Sequence, residues 1–274
     1  MLGLGSEIYR LGSMGDGGAS EDPYQSLRAL SFDGTDDIVF YADDDDWHGG
    51  SKDGFTISFW LKEGTYSTKT IFEKQQDGNN YWRIFFSRNA DSINFELKVG
   101  GNTYAEMITD DAVTSYQGAY THFVVSVRTD GLSAFENGSY IMINGTSVDV
   151  TNSTDSNLAQ SDFNNTGAPV WGGFGANRME LDQLDEFAAW NDNISQAAAT
   201  AMYNSGTPID LTKSSGNYTG ADGPDSLHAW VRGEKNFNGL DTVANGSGSV
   251  DSLGTDDAGK SVFSLGGPIV VNAG

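Results

Sequence analysis

One notable grouping of ionisable side chains in this 274-residue sequence is Glu180-Leu-Asp-Gln-Leu-Asp-Glu186. Retaining hydrolysis of a glycosidic bond needs two carboxyl groups about 5 Å apart, one as nucleophile and one as acid. Residues i and i+2 of a strand share a face, so Glu180 and Asp182 would line one cleft. The overlapping stretch Leu184 to Asn191 also reads as a plain apolar strand, which accounts for the same acids without chemistry, and no residue is assigned a catalytic role. A second grouping is Asp43-Asp-Asp-Asp46, beside Trp47-His48. Carboxylate oxygens suit Ca²⁺, which takes about six to eight of them. Four successive acids on an extended chain cannot all face one ion. A site would therefore combine Asp43, Asp44 or Asp46 with an acid from another loop, Asp110 or Asp111, and the alternative is a solvated acidic loop. Among the aromatic residues, Trp47, Tyr66, Tyr81 and Trp82 stand at loops or strand ends. A flat ring there can stack on a sugar, although most rings in such a chain belong to its core.

Other chemistries find no support. His48, His122 and His228 lie far apart and show no metal-ligand spacing. No nucleophile elbow is present. Gly172-Gly-Phe-Gly175 does not open a helix, as a phosphate-cradling loop would. There is no Cys, which excludes disulfides, zinc-thiolate sites and thiol catalysis. Fifteen Lys and Arg face 38 Asp and Glu, for a net charge of −23. Such a surface repels phosphate backbones, so nucleic acid is excluded as a partner, while solubility, cations and basic partners are favoured. No apolar run approaches the ~18 residues that span a membrane, so no membrane partner is expected. Met1 to Arg10 lacks a basic segment followed by an apolar one, so no signal peptide is expected and export would need another route, such as lysis of a host cell.

The elements that must position these residues are strands. Phe55, Ile57, Phe59 and Leu61 alternate with Thr56, Ser58 and Trp60. That period of two predicts a strand with one face in the core. Leu30 and Phe32, then Ile38 and Phe40, flank a turn containing Gly34 and predict a hairpin-like pair. Further strands are predicted from Ile71, at Tyr81 to Phe86, Ile93 to Val99, Tyr120 to Val127, Val170 to Phe174 and Leu184 to Trp190. Tyr140 to Ile143 leads into Asn144-Gly145, a hairpin signal. One short helix is predicted near 194–204, with Ser195 as N-cap and Gly206 as stop. Many strands with one late helix predict an all-β fold, a two-sheet antiparallel jelly-roll sandwich with loop-rich terminal arms. The Gly- and acid-rich residues 1–28 form an N-terminal arm, 29–206 the jelly roll and 207–274 a C-terminal extension. In the extension Leu227 to Val231 suits a strand added to the sandwich edge, and the rest packs on the sandwich or on a neighbour.

The order of several segments resembles laminin-G-like domains of the concanavalin A-like lectin/glucanase superfamily. Ala29 to Val39 resembles their opening strand and Phe55 to Leu61 the second signature strand. Tyr120-Thr-His-Phe-Val-Val-Ser-Val127 is similar to the strand that usually begins Trp-His; here Tyr120 replaces the Trp and His122 falls one residue late. Tyr140 to Gly145, Leu184 to Asn191 and Tyr203-Asn-Ser-Gly206 resemble the later strands and the closing helix. The likeness covers about residues 29–206. It implies a rim at which relatives hold calcium, and it sets Glu180 to Glu186 beside the Glu-x-Asp-x-Glu of related glucanases, from which it departs in spacing. Ile209-Asp-Leu211 and Leu227 to Arg232 are similar to tails that follow such domains in tailed, particularly marine, phages.

The resemblance implies a non-catalytic structural or decoration protein of a virion, in capsid or tail fibre, that displays the jelly roll and aids adhesion to host-surface polysaccharide. It would be made in the host cytoplasm and be extracellular in the particle. Its partners would be other virion proteins and copies of itself, through residues 1–28 and 207–274. The alternatives are a calcium-dependent carbohydrate-binding module and, third, a β-glucanase.

Overall fold

The computed structural model describes residues 28–35, 37–49, 52–64, 67–173, 177–232, 251–255, 261–265 and 269–272. Residues 1–27 of the expected arm and Tyr66 lie outside them. Two antiparallel sheets form a sandwich. One, of eight strands, runs in the order β10 (Thr146–Ser147), β9 (Tyr140–Ile143), β8 (Tyr120–Arg128), β3 (Gly54–Lys62), β13 (Glu180–Trp190), β1 (Arg28–Asp33) and β17 (Ile269–Asn272), with β14 (Leu227–Val231) added on β13. The other, of nine, runs β11 (Val150–Thr154), β7 (Asn102–Thr109), β6 (Ser92–Val99), β5 (Asn80–Ser87), β4 (Lys69–Asp77), β12 (Pro169–Trp171), β2 (Ile38–Tyr41), β16 (Ser261–Leu265) and β15 (Asp251–Thr255). Among the described residues no helix is long and apolar enough to cross a membrane.

The alternating apolar residues meet between the sheets. Phe55, Phe59 and Phe123 from the eight-stranded sheet face Phe72, Trp82 and Trp171 from the other. The Phe55 ring stacks on Trp82 with centroids 4.6 Å apart, and Phe59 meets Trp171 edge-on at 5.9 Å. The predicted β1–β2 hairpin is not formed. β1 pairs with β13 and β17, whereas β2 pairs with β12 and β16, so the chain changes sheets between them. Gly34, at φ +81°, turns the corner, and the Asp37 carboxylate accepts the Asp33 N–H at 2.8 Å. A sandwich corner and a hairpin leave the same alternation in sequence, so the pattern could not separate them.

The eight-stranded sheet is also buried on its outer face. A second apolar cluster joins Val124, Ala188 and Trp190 of the sheet to Ala198, Ala199 and Met202 of helix α2 (Gln196–Tyr203) and to Ile209, Leu211 and Tyr218 of the segment beyond it. For this reason β3, expected to face the core on one side only, is buried on both. A further helix, α1 (Leu132–Gly138), which the sequence reading did not anticipate, sits between β8 and β9. α2 begins as expected, the Ser195 hydroxyl accepting the Ala198 N–H at 3.2 Å. It ends two residues before its Gly206 signal, on a left-handed Asn204.

The outer layer is locked to the sheet by polar bonds inside its apolar cluster. The Trp190 indole N–H donates to the Tyr218 hydroxyl at 3.1 Å, and that hydroxyl donates to the Leu211 carbonyl at 2.8 Å. Replacing Trp190 with Ala removes a fully buried ring and leaves a cavity, so an unfolding titration should show a loss of about 3–5 kcal/mol. A loss below ~1 kcal/mol would mean that the outer layer contributes little to folding.

Candidate functional site

The acid-rich strand β13 spends its carboxylates internally. Glu180 is exposed, whereas Asp182, Asp185 and Glu186 are buried. The Asp182 carboxylate accepts from the Lys69 ammonium at 2.8 and 3.0 Å and from the N–H groups of Gly64 and Glu180 at 2.8 and 2.9 Å. Lys69, itself fully buried, also reaches Glu63 at 3.3 Å. Burial raises the pKa of Asp182 and Glu63, and the Lys69 ammonium opposes that in both. Asp185 accepts the N–H of Glu186 at 2.8 Å, and Glu186 accepts the Trp230 indole N–H at 2.9 Å. Glu180 and Asp182 therefore do not share an open cleft.

The acid run splits. Asp43 pairs with the buried Lys74 at 2.6 Å, and Lys74 also donates to the Asn165 carbonyl. Asp44 and Asp46 face His228 of β14, with Asp44 Oδ1 3.1 Å from Nε2 and Asp46 Oδ2 3.6 Å from Nδ1. These three residues could hold a metal ion, with one ligand atom of each lying within 4.8 Å of the others. His228 was missed because its 182-residue separation from Asp46 gives no local signal. Asp110 and Asp111 do not join them. They follow β7, which is separated from β2 by β6, β5, β4 and β12, on the order of 24 Å at about 4.8 Å per strand. Successive strands alternate in direction, so the ends of β2 and β7 open at opposite ends of the sheet. Two carboxylates and one imidazole are also a poor match to calcium's requirement for about six to eight oxygens.

Three of the four expected sugar-stacking rings are buried, and the fourth, Tyr66, lies outside the described residues. Trp47 is 2 %, Trp82 0 % and Tyr81 8 % exposed. Trp47 packs on Tyr41 and His228, and Tyr81 lies between the Arg83 and Lys98 cations with its hydroxyl donating to Glu96 at 3.1 Å. Rings this deeply buried present too little face to stack on a sugar.

A different ring borders open space. Tyr203, half-buried at the end of α2, lines a hollow of about 480 Å³ between the β9–β10 turn, the helix end and the turn at Ser215–Gly216. The Tyr203 ring lies nearly parallel to His122 (6.1 Å, 14°) and Trp60 (5.8 Å, 21°), which fix it from behind. His122 is held by the Ser58 hydroxyl at 2.8 Å from Nε2. Asn144 is anchored to the same strand, its side-chain oxygen accepting the His122 N–H at 3.0 Å and its own N–H donating to the His122 carbonyl at 2.8 Å. An adjoining hollow of about 290 Å³ is shared through Asn204 and Ser215 and holds the Asp210–Lys213 ion pair, 3.3 Å apart.

Residues 33–199 match the laminin-G family model described as the concanavalin A-like lectin/glucanases superfamily. The chain belongs to that superfamily. No curated protein matches it in sequence. Among solved structures of this fold it is similar to a candidate carbohydrate binding protein of Bacteroides ovatus ATCC 8483, at 12 % identity and a TM-score of 0.56, over 91 % of this chain and 61 % of that one. It thus spans about three-fifths of that relative, and the likeness shows the fold alone. A heptameric pentraxin of Limulus polyphemus matches at 13 % identity and a TM-score of 0.44, over 65 % of this chain and 82 % of that one. The binding domain of botulinum neurotoxin serotype C1 matches at 14 % and 0.48, over 65 % and 43 %. The superfamily assignment agrees with the resemblance read from residues 29–206.

Two outcomes follow from these buried charges. Lys69→Met leaves Asp182 buried without its cation and should cost about 3–5 kcal/mol in chemical unfolding, while Lys69→Met with Asp182→Leu should recover most of it. His122 is buried, which lowers its pKa to about 3 from 6.5. Between those values the unfolded chain binds a proton that the folded chain refuses, so stability falls as pH drops from about 6.5 toward 3, by about 1.4 kcal/mol per pH unit from this group. His122→Gln, which keeps a partner for Ser58, should flatten the acid limb of a stability-versus-pH curve. An unchanged limb would assign acid sensitivity to other groups.

Proposed function

We propose that this domain is a non-catalytic glycan-binding module, displayed on a virion or comparable particle to aid adhesion. The observation that carries the binding part is the fate of the carboxylates on β13. On a lectin/glucanase scaffold, the one strand rich in acids commits Asp182 to Lys69 and Glu186 to Trp230. Hydrolysis needs two carboxyls that both reach a sugar. Here only Glu180 of the four is exposed, so the strand suits a scaffold role and the module a binding one.

The display part is supported by the likeness of Ile209 to Leu211 and Leu227 to Arg232 to phage tail segments and by the acidic surface. In it, residues 1–28 and the C-terminal extension contact other particle proteins or further copies of the chain. Protein purified from lysates of infected cells should then co-sediment with particles, and its presence only in the soluble fraction would count against display.

Calcium has no part in this reading, because the corner at Asp44, Asp46 and His228 offers too few oxygens. In affinity electrophoresis the full chain should be retarded by a soluble polysaccharide, equally with and without EDTA, and should release no reducing ends from it. Release of reducing ends that stops in Glu180→Gln would replace binding with hydrolysis.

A further inference from the structure

We infer that the hollow beside Tyr203 is the glycan site of this module and that it takes an uncharged pyranose. This rests on the glycan-binding reading above. The first reason is the platform. A sugar with axial hydrogens on one face needs a flat, fixed ring, and Tyr supplies contact area at a low cost in rotamer freedom. Tyr203 is already fixed by the stack with His122 and Trp60. Gly145 closes the near side, since a Cβ there would come within 2.7 Å of the Tyr203 ring.

The second reason is backbone strain. Among the described residues five non-glycine positions have positive φ, and three of them line this hollow: Asn144 (φ 50°), Asn204 (φ 43°) and Ser205 (φ 58°). Asn204 and Ser205 are consecutive, where glycine would be the unstrained choice. Left-handed non-glycine residues persist where the surroundings demand them, and they concentrate at functional sites. Asn204 and Ser205 bring an amide and a hydroxyl to the lining, while the Asn144 side-chain oxygen is held by the His122 N–H. Thr200 and Ser215 add further hydroxyls.

The third reason is charge. No Asp, Glu, Lys, Arg or His lines the hollow, in a chain with a net charge of −23. The end of α2 adds partial negative character. Sialylated or sulfated sugars would meet repulsion and no paired cation, whereas neutral hydroxyls find amides and hydroxyls to pair with. A volume of about 480 Å³ lies within the range of about 300–1,000 Å³ typical of small-molecule sites.

The test uses the full-length chain on an array of neutral, sialylated and sulfated glycans, with affinities then measured by calorimetry. The variant that separates site from fold is Asn204→Gly with Ser205→Gly. It removes both polar groups while relieving the left-handed backbone, so its thermal midpoint should equal or exceed the parent's. Its affinity for the neutral ligand should fall about tenfold or more, from the loss of two hydrogen bonds. Tyr203→Leu should abolish detectable binding. Binding of neutral glycans unaffected by both variants would overturn the site and leave the module reading intact. A preference for sialylated or sulfated glycans would overturn the ligand class. An array on which the parent binds nothing would overturn the site and the module reading together.

Discussion

The structure depends on β13 being buried on both faces. One face must enter the core between the sheets and the other must lie under α2 and the segment that follows it. Strict alternation cannot do this with the residues present. Leu184 lies in the inter-sheet core, and so do Phe187 and Ala189, which differ from it in parity. The change of parity is made by a bulge. Asp185 pairs with Trp60 and Ala188 with Ser58, so β13 spends one residue more than β3 over this stretch. Glu186 takes φ 49° to absorb it. Beyond the bulge, Ala188 and Trp190 turn outward into the second cluster, which is what gives α2 a surface to pack on. A one-residue slip elsewhere would expose this whole set, which is why the bulge is a specified feature and not a defect.

The bulge also bears on the acids. A strand carrying Asp182, Asp185 and Glu186 through a buried position needs a partner for each carboxylate. Lys69 serves Asp182, the Glu186 N–H serves Asp185 and the Trp230 indole serves Glu186. The same logic holds Asp43 against Lys74 at the other end of the sandwich. Two of the few lysines are thus fully buried, but among the described residues seven acids are buried as well, so the solvent-facing surface stays acidic while part of the charge excess lies inside. Against that surface an uncharged hollow stands out more than its size alone would suggest.

The sandwich was legible because alternation survives in the longest strands. Phe55 to Leu61 and Tyr120 to Val127 need no tertiary information to be read as strands, and Asn144-Gly145 takes the left-handed turn that its sequence demands. What sequence could not show was the covering of the outer face. Thr56, Ser58 and Trp60 look like a solvent side, yet they are buried beneath a layer whose residues come more than a hundred positions later. Trp47, Tyr81 and Trp82 are buried for the same reason. Position next to a loop says where a ring starts, not what closes over it: Trp82 is closed over by Phe55 of the opposite sheet, and Trp47 by Tyr41, Phe72 and His228. Tyr203 was noticed only as part of the closing helix. Its exposure arises from three turns distant in sequence, and no local pattern encodes that meeting.

Stability and recognition are divided between different parts of the chain. The two apolar clusters and the buried ion pairs sit on strands, where each side chain is over-determined by neighbours. The hollow beside Tyr203 is walled by turns. Left-handed backbone at Asn204 and Ser205 costs on the order of 1–3 kcal/mol per residue. Such a cost is tolerable only on a support that does not move. That support is the stack of Trp60, His122 and Tyr203, whose first two members are held by the sheet and whose third closes α2. The outer layer that the bulge in β13 makes possible is therefore also what holds the strained turns in place, and the geometry of the hollow follows from one extra residue in one strand.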